Sequence, residues 1–532
     1  MANSKDIDAA LALWRFGLGA KQDSLAAIKD DPRDYLREEI AEKAVPVPAG
    51  PSLHSTPSLL IALREYQQEV KAERERPAPT QVSATAGAVM GADKTMMAAP
   101  GNAGQPAATA GTQATPGQDA QHPQPPKDNQ PTNQMGMQPM QTGQMQGGSN
   151  DKKQDTPASK RRYFPQEILL AEANARFNGT IHQPMIGFGE RLAMFWANHF
   201  SIAISKGGDV HILAGAFERE AIRPHVFGRF EDMLDAVETH PAMLVFLDNQ
   251  QSIGPNSQAN KNGKRGLNEN LAREIMELHT LGVNGGYSQA DVTSLARIIT
   301  GWTVYRNEKQ PDGWGTFSFN SYAHEPGDQT VMGITYGQGG FEQGRQALAD
   351  LARHPATARH LSFKLARHFV ADNPPQSLVD AMTAAYTKTK GDLSAVYKAM
   401  LASDDAWNPQ LTKMRMPLDY VSAIIRSTSI MPKPEQVVSV LNALGQPLWN
   451  PAGPNGFSDG TDAWASSEGL ATRIDAANLF AHQVQGNVDP RSFISDRFGP
   501  LLSNETLTAV SRAETKQQGL SIAFLSPEFQ RR

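Results

Sequence analysis

A chain of 532 residues with 39% hydrophobic residues is long enough for two or three domains and can bury a sizeable core. Its formal charge of −5 excludes the strongly basic balance of a dedicated nucleic-acid binder. With no cysteine, it has no disulfide, thiolate zinc site or cysteine nucleophile.

The first residues, Met1-Ala-Asn-Ser-Lys-Asp6, run straight into an amphipathic segment rather than the apolar stretch of a secretory signal. No run of about eighteen apolar residues occurs, so no membrane span is expected. The nearest candidate, 186–204, is interrupted by Glu190, Arg191, Asn198 and His199. The cytoplasm is the default location, with periplasmic export alongside a signal-bearing partner as the alternative.

Residues 7–14 and 58–73 read as helices, and Arg15-Phe-Gly-Leu-Gly19 stops the first. From 77 to 160 the chain is rich in Ala, Gly, Gln, Pro, Thr and Met, with no aromatic between Tyr66 and Tyr163. Such a segment buries too little apolar surface to offset its ordering entropy, so a disordered linker is expected there. Its methionine clusters, Met96-Met97 and those from Met135 to Met145, would otherwise suit a sticky partner- or metal-binding tract. The expected division is a helical segment over 1–76 packing on the main domain, a linker over 77–160 and a main helical domain over 161–532.

Beyond the linker, 190–200 is apolar nearly all round and reads as a buried helix. Residues 241–248 open on Pro241 after Thr239-His240, a first-turn proline. Ser288-Gln-Ala-Asp291 resembles a capping box for a helix reaching Thr300 and stopping at Gly301. Alternation over 316–322 and 329–336, joined by His324-Glu-Pro-Gly-Asp328, predicts one β-hairpin with His324 projecting outward at its tip. Helices follow over 356–370 and 378–401. Two long polar loops, 249–266 and 445–464, each abut a helix and are candidates to order over a cleft. The predicted fold is mostly α: a multi-helix globular domain with one small β-hairpin and a long disordered insertion.

The richest chemistry lies in Asn268-Glu-Asn-Leu-Ala-Arg-Glu-Ile-Met-Glu-Leu-His-Thr-Leu-Gly282. On a regular helix Asn270, Glu274 and Glu277 share one stripe with Arg273 on its flank, and His279 falls well over 90° away from both glutamates. One metal ion then cannot take a carboxylate of this helix together with His279 unless the helix breaks. The bland alternative is a solvated Glu269–Arg273 pair with the glutamates facing water. In the buried helix, Arg191, Asn198 and His199 need partners because desolvation of polar groups is costly, and Glu274 or Glu277 would be the simplest. The alternative there is a structural network that fixes helix packing. A third stripe, His360, Lys364 and Arg367 with His368 at its edge, could hold a phosphate or carboxylate, although a solvated basic face is the preferred reading.

His199, His240, His279 and His324 could supply a metal or acid–base centre, but none has diagnostic ligand spacing. Asp248, Asn249 and the oxygen-rich loop after them would suit calcium, without an EF-hand pattern. No Walker-type glycine loop, Gly-x-Gly-x-x-Gly fingerprint or Gly-x-Ser-x-Gly elbow occurs, which removes the usual nucleotide, flavin and serine-hydrolase readings. The cofactor therefore stays open, with a divalent metal as the candidate.

At several of these positions the chain resembles a large bacterial family, domain of unknown function 1800. The motifs are Arg15-Phe-Gly-Leu-Gly19, Glu190-Arg-Leu-Ala-Met-Phe-Trp-Ala-Asn-His-Phe200, Leu247-Asp-Asn249 and the 268–282 run, then Tyr287-Ser-Gln-Ala-Asp-Val292 and Thr300-Gly-Trp-Thr303. His324-Glu-Pro-Gly327, Gly445-Gln446, Trp464 and Ser526-Pro-Glu-Phe-Gln-Arg531 complete the set. The resemblance implies a bacterial source and relatives that often look exported, with genes beside another uncharacterised family. It implies no activity. The 77–160 segment is an insertion relative to the family pattern.

Two functions follow as expectations. The first is an enzyme, a hydrolase or group transferase that is metal-assisted in one version. Glu274, Glu277, His199 and His324 would act as acid–base or ligand groups, while Arg191, Asn198, Asn270 and Arg273 hold substrate. The second is a non-catalytic helical partner or scaffold, acting with another, exported protein.

Overall fold

The N-terminal apolar run winds into α1 (Ser4–Leu11) and continues as a π-helical turn over Ala12–Phe16. That turn closes where Gly17 N donates to Ala12 O at 2.9 Å. A side chain at Gly17 would meet the Ile186 carbonyl at 2.4 Å, so the crossing of these two segments requires glycine. The structure, a computed structural model, describes residues 4–43, 45–75, 164–263, 266–484, 486 and 488–532; the predicted 77–160 linker lies outside the described residues.

Helices α2 (Pro32–Ala41), α3 (Thr56–Glu75), α4 (Phe164–His182), α5 (Phe188–His199) and α6 (Gly208–Phe217) follow. Next come a short α7 (Asn270–Glu274), running into a π turn over Ile275–His279, and α8 (Gln289–Ile298). Then come α9 (Pro355–Phe369), α10 (Gln376–Thr389), α11 (Leu393–Ala402), α12 (Pro417–Thr428), α13 (Ser467–Gln483) and α14 (Lys516–Leu525), with further helices between. Ser288 and Asp291 form the predicted capping box of α8.

One hydrophobic core runs from the N-terminal segment to the last helices. Trp14 stacks on Phe498 at 4.3 Å and meets Phe529 edge-on at 5.2 Å, while its indole N–H donates to Arg497 O at 2.6 Å. Fully burying such a side chain contributes roughly 2–3 kcal/mol. Long-range capping adds to this: the Glu39 carboxylate of α2 accepts from the N–H groups of Ile186, Gly187 and Phe188, at 2.9, 3.1 and 2.8 Å. A negative group at that position satisfies orphan donors and complements the dipole of α5.

The β content differs from the predicted hairpin. Strand β1 (Trp302–Val304) pairs antiparallel with β2 (Phe317–Phe319), and β3 (Gln329–Val331) with β4 (Ile334–Tyr336). The 316–322 run thus pairs backwards, not with 329–336. The second run makes its own hairpin because Met332 and Gly333 both take positive φ, 50° and 77°, as a two-residue primed turn requires. The connection between the runs is pulled inward, where Glu325 N donates to Thr300 Oγ1 at 2.8 Å. The predicted 378–401 helix is likewise two helices. Lys390 and Gly391 take φ of 55° and 89°, and Asp392 then caps α11 through Ala395 N. Among the described residues no helix is long and apolar enough to cross a membrane.

Candidate functional site

Helices α5 and α9 meet through their apolar faces, with Phe188 and Phe369 ring centroids 5.5 Å apart. Burial of Leu361, Leu365, Ala366 and Phe369 turns His360, Lys364, Arg367 and His368 toward the end of α5. There Lys364 Nζ lies 2.9 Å from His199 Nδ1, and His199 Nε2 lies 3.1 Å from the His279 carbonyl. An ammonium can only donate, so Nδ1 accepts and the ring proton sits on Nε2. Burial, then the charge of Lys364, holds the His199 pKa well below its usual value and keeps the ring neutral at pH 7. His360 is lowered to about 4 by the same two causes. Lys364 itself is lowered to about 8 by burial, against an opposing pull from Asp459.

The predicted cleft loop closes over this point. Asn198 holds it with two hydrogen bonds, donating to Phe457 O at 2.9 Å and accepting from Phe457 N at 2.8 Å. Gly456, at φ 73°, approaches so closely that a side chain there would meet Asn198 O at 2.3 Å. Asp459 at the loop's end lies 2.9 and 3.1 Å from His368 Nδ1. Because Arg191 Nη2 approaches His368 Nε2 at 3.3 Å and can only donate, His368 is the opposite tautomer from His199, with its proton toward Asp459. Burial lowers His368 to about 4. Burial also works against the Asp459 carboxylate, but His368, Lys413 and Arg532 outweigh it and hold that group ionised far into acid.

The result is a polar pocket of about 280 Å³, lined among others by Asn198, His199, Lys364, Arg367 and Asp459. Its cations outnumber its carboxylates. Arg367 Nε is buried without a hydrogen-bond partner among the described residues, and Asp459 is already engaged by His368. An acidic or phosphorylated group would find both charge and donors there.

Beneath the pocket, Asp419 of α12 pairs with Arg191 and Arg415, each at 2.9 Å, and with Arg532. Burial opposes its charge, yet the three guanidiniums hold its pKa well below the carboxylate range. This cluster ties α5 to the C-terminal segment.

The predicted residues divide between this pocket and other places. The expected Glu274 and Glu277 partners of the buried α5 triad are replaced: Arg191 takes Asp419, Asn198 takes Phe457, and His199 takes Lys364 and a backbone carbonyl. Glu274 is half-buried, its carboxyl raised chiefly by burial, and Glu277 meets the Tyr287 hydroxyl at 3.5 Å. Arg273 pairs with Glu269 at 3.3 Å and with Gln289 at 2.9 Å, the solvated arrangement weighed as the alternative. Asn270 is exposed. His324 does not project outward: it is 7% exposed, with Nδ1 3.0 Å from Thr300 O, because the connection folds under Phe319. Asn249 spends its amide on the carbonyls of Ile299 and Trp302, and Asp248 pairs with Lys206. His240 caps a helix and touches Thr56 and Glu220.

The helix does break at His279. The π turn after Glu274 closes i to i+5, which turns His279 toward that carboxylate, and His279 is the largest charged influence on Glu274. His279 Nδ1 itself lies 2.7 Å from the fully buried Glu238. Among the described residues no group of three or more His, Asp or Glu side chains is placed to hold a metal ion. Asp419 and Glu238 were not singled out in the sequence; the i,i+4 pair Arg415–Asp419 was the one local signal for the former.

A mostly helical protein with a polar pocket roofed by an ordered loop is the class these features define. The family model described as Protein of unknown function (DUF1800) matches residues 11–531, and the chain belongs to that family. No curated protein and no solved structure matches it.

Proposed function

We infer that the protein is an enzyme acting on a small anionic substrate, by hydrolysis or group transfer, in the pocket between α5, α9 and the 455–459 loop. Arg367 takes the anionic group. Lys364 is the acid–base group: a lysine lowered to about 8 carries its proton at pH 7 yet can give it up within reach of the working pH. His199 acts as a positioning residue that accepts from Lys364 and stays neutral. Asn198 holds the roof of the pocket, and Arg191 supports His368 from below. In this reading 1–76 and 161–532 work together, and 77–160 is a linker between them. Glu274, Glu277, His324, Asn270 and Arg273 lie outside the reacting group.

The observation that carries the reading is the excess of half-buried cation over available carboxylate at Lys364 and Arg367. The competing reading, a non-catalytic helical partner or scaffold, is favoured by Leu470 and Ile474, which α13 leaves 44% and 48% exposed. Titration calorimetry with inorganic phosphate and with acetate separates them. Binding that disappears in Lys364→Met and Arg367→Met, together with turnover of phosphate or carboxylic esters that rises through pH 8, supports the enzyme. No binding of either anion, with the variants changing only the melting temperature, supports the scaffold.

A further inference from the structure

The polar pocket has a neighbour. Asn198 and Phe457 wall a second cavity as well, and most of its other walls are apolar, among them Met194, Ala197, Phe217 and Leu448. The guanidiniums that reach it are paired in charge, Arg176 with Glu218 and Arg191 with Asp419, while Arg176 Nε and Nη2 and Arg191 Nε have no hydrogen-bond partner among the described residues. One cavity therefore carries uncompensated positive charge and the other offers balanced, largely apolar walls. The two residues common to both linings, Asn198 and Phe457, are joined by two hydrogen bonds of 2.9 and 2.8 Å. Such bonds are largely replaced by water when a loop shifts, so the net cost of parting them is small.

We propose that the two cavities are the head and tail compartments of one substrate site, and that its ligand is a short-chain amphiphilic anion. The carboxylate or phosphate head lies at Lys364 and Arg367, and the apolar tail passes Phe457 to lie beside Met194 and Leu448. This rests on the anion-pocket reading above. The tail is short because the apolar cavity holds only about 60 Å³ against about 280 Å³ for the polar one. Loop 455–459 then discriminates chain length, since Phe457 is shared by both compartments.

The test is titration calorimetry of the full chain with acetate, butyrate, hexanoate and octanoate. Affinity is expected to rise about fourfold for each added methylene until the apolar cavity is full, then to level off. Ala197→Phe, which fills that cavity, is expected to abolish the gain with length; Leu448→Trp tests the same point if the first variant does not fold. A wild-type Kd that stays flat across the series while acetate binds overturns the tail compartment and leaves the anion pocket standing. A length dependence that survives in a folded filling variant also overturns it. If no member binds and Lys364→Met behaves as wild type, the tail and the anion pocket are both lost.

Discussion

The helix that ends at His279 and the helix that carries Lys364 both present a row of polar side chains, but they meet different surroundings. On the first, Glu269 and Arg273 are satisfied by each other and by Gln289 and Thr293 of α8, at a partly exposed surface. On the second, Lys364 has, among the described residues, a neutral imidazole and a more distant carboxylate, inside a roofed pocket. A surface network of the first kind contributes tenths of a kcal/mol and holds nothing in reserve. Charge that is buried and incompletely matched is costly to the fold, and that is where ligand binding has most to gain. Polar residue density along the chain is therefore a weaker guide than burial without a partner.

The comparison breaks most sharply at the ion cluster under the pocket. Asp419→Ala leaves three buried guanidiniums without their carboxylate and should destabilise the protein by about 3–5 kcal/mol, read from urea unfolding. A loss near zero would mean that the cluster is solvated rather than buried.

Acid should act next. His199, His360 and His368 are held neutral in the fold, with folded pKa values below the ordinary 6.5, to about 4 for the last two. Below pH 6.5 the unfolded chain binds protons that the folded chain does not. Stability therefore falls as the pH drops from 6.5 toward 4, and is recovered above 6.5. Melting temperature against pH measures this, and His360→Gln should flatten part of the slope. Asp419 and Asp459, held low, add a further loss only below about pH 4.

For Lys364→Met, phosphate or acetate affinity should drop at least about tenfold, the loss of one charge-assisted contact. The melting temperature should hold or rise, since a half-buried ammonium with a lowered pKa is removed. In the wild type, Lys364 makes the fold less costly as pH climbs from about 8 toward its unfolded value of 10.5, the opposite limb from the histidines.

The smallest effect belongs to the first helix. Arg273→Ala should change stability by no more than about 0.5 kcal/mol and leave anion binding within threefold of wild type. A large loss of binding there would move the working site to the 268–282 run.

Much of the architecture was legible because it follows local rules. The apolar face of α5, the capping box at Ser288, the proline at the start of the 241–246 helix and the family motifs are each written within a few neighbouring residues. The strand partners were not, since 316–322 could pair in either direction until Gly301 and Thr300 drew the following segment inward. Nor was the break at Lys390, which is held by Phe230 N donating to Gly391 O.

The candidate site divides the same way. The chain order already placed His360, Lys364, Arg367 and His368 on one stripe and marked 445–464 as a loop able to cover a cleft, because helical periodicity and loop composition are local properties. Only the tertiary structure decided that Arg191 meets Asp419, that His199 meets Lys364, and that Asn198 holds the backbone of Phe457. Those choices turn on which buried charge finds which counter-charge, across separations of 228 and 165 residues in the first two cases (419 − 191; 364 − 199). Side-chain spacing along one helix carries no information about that.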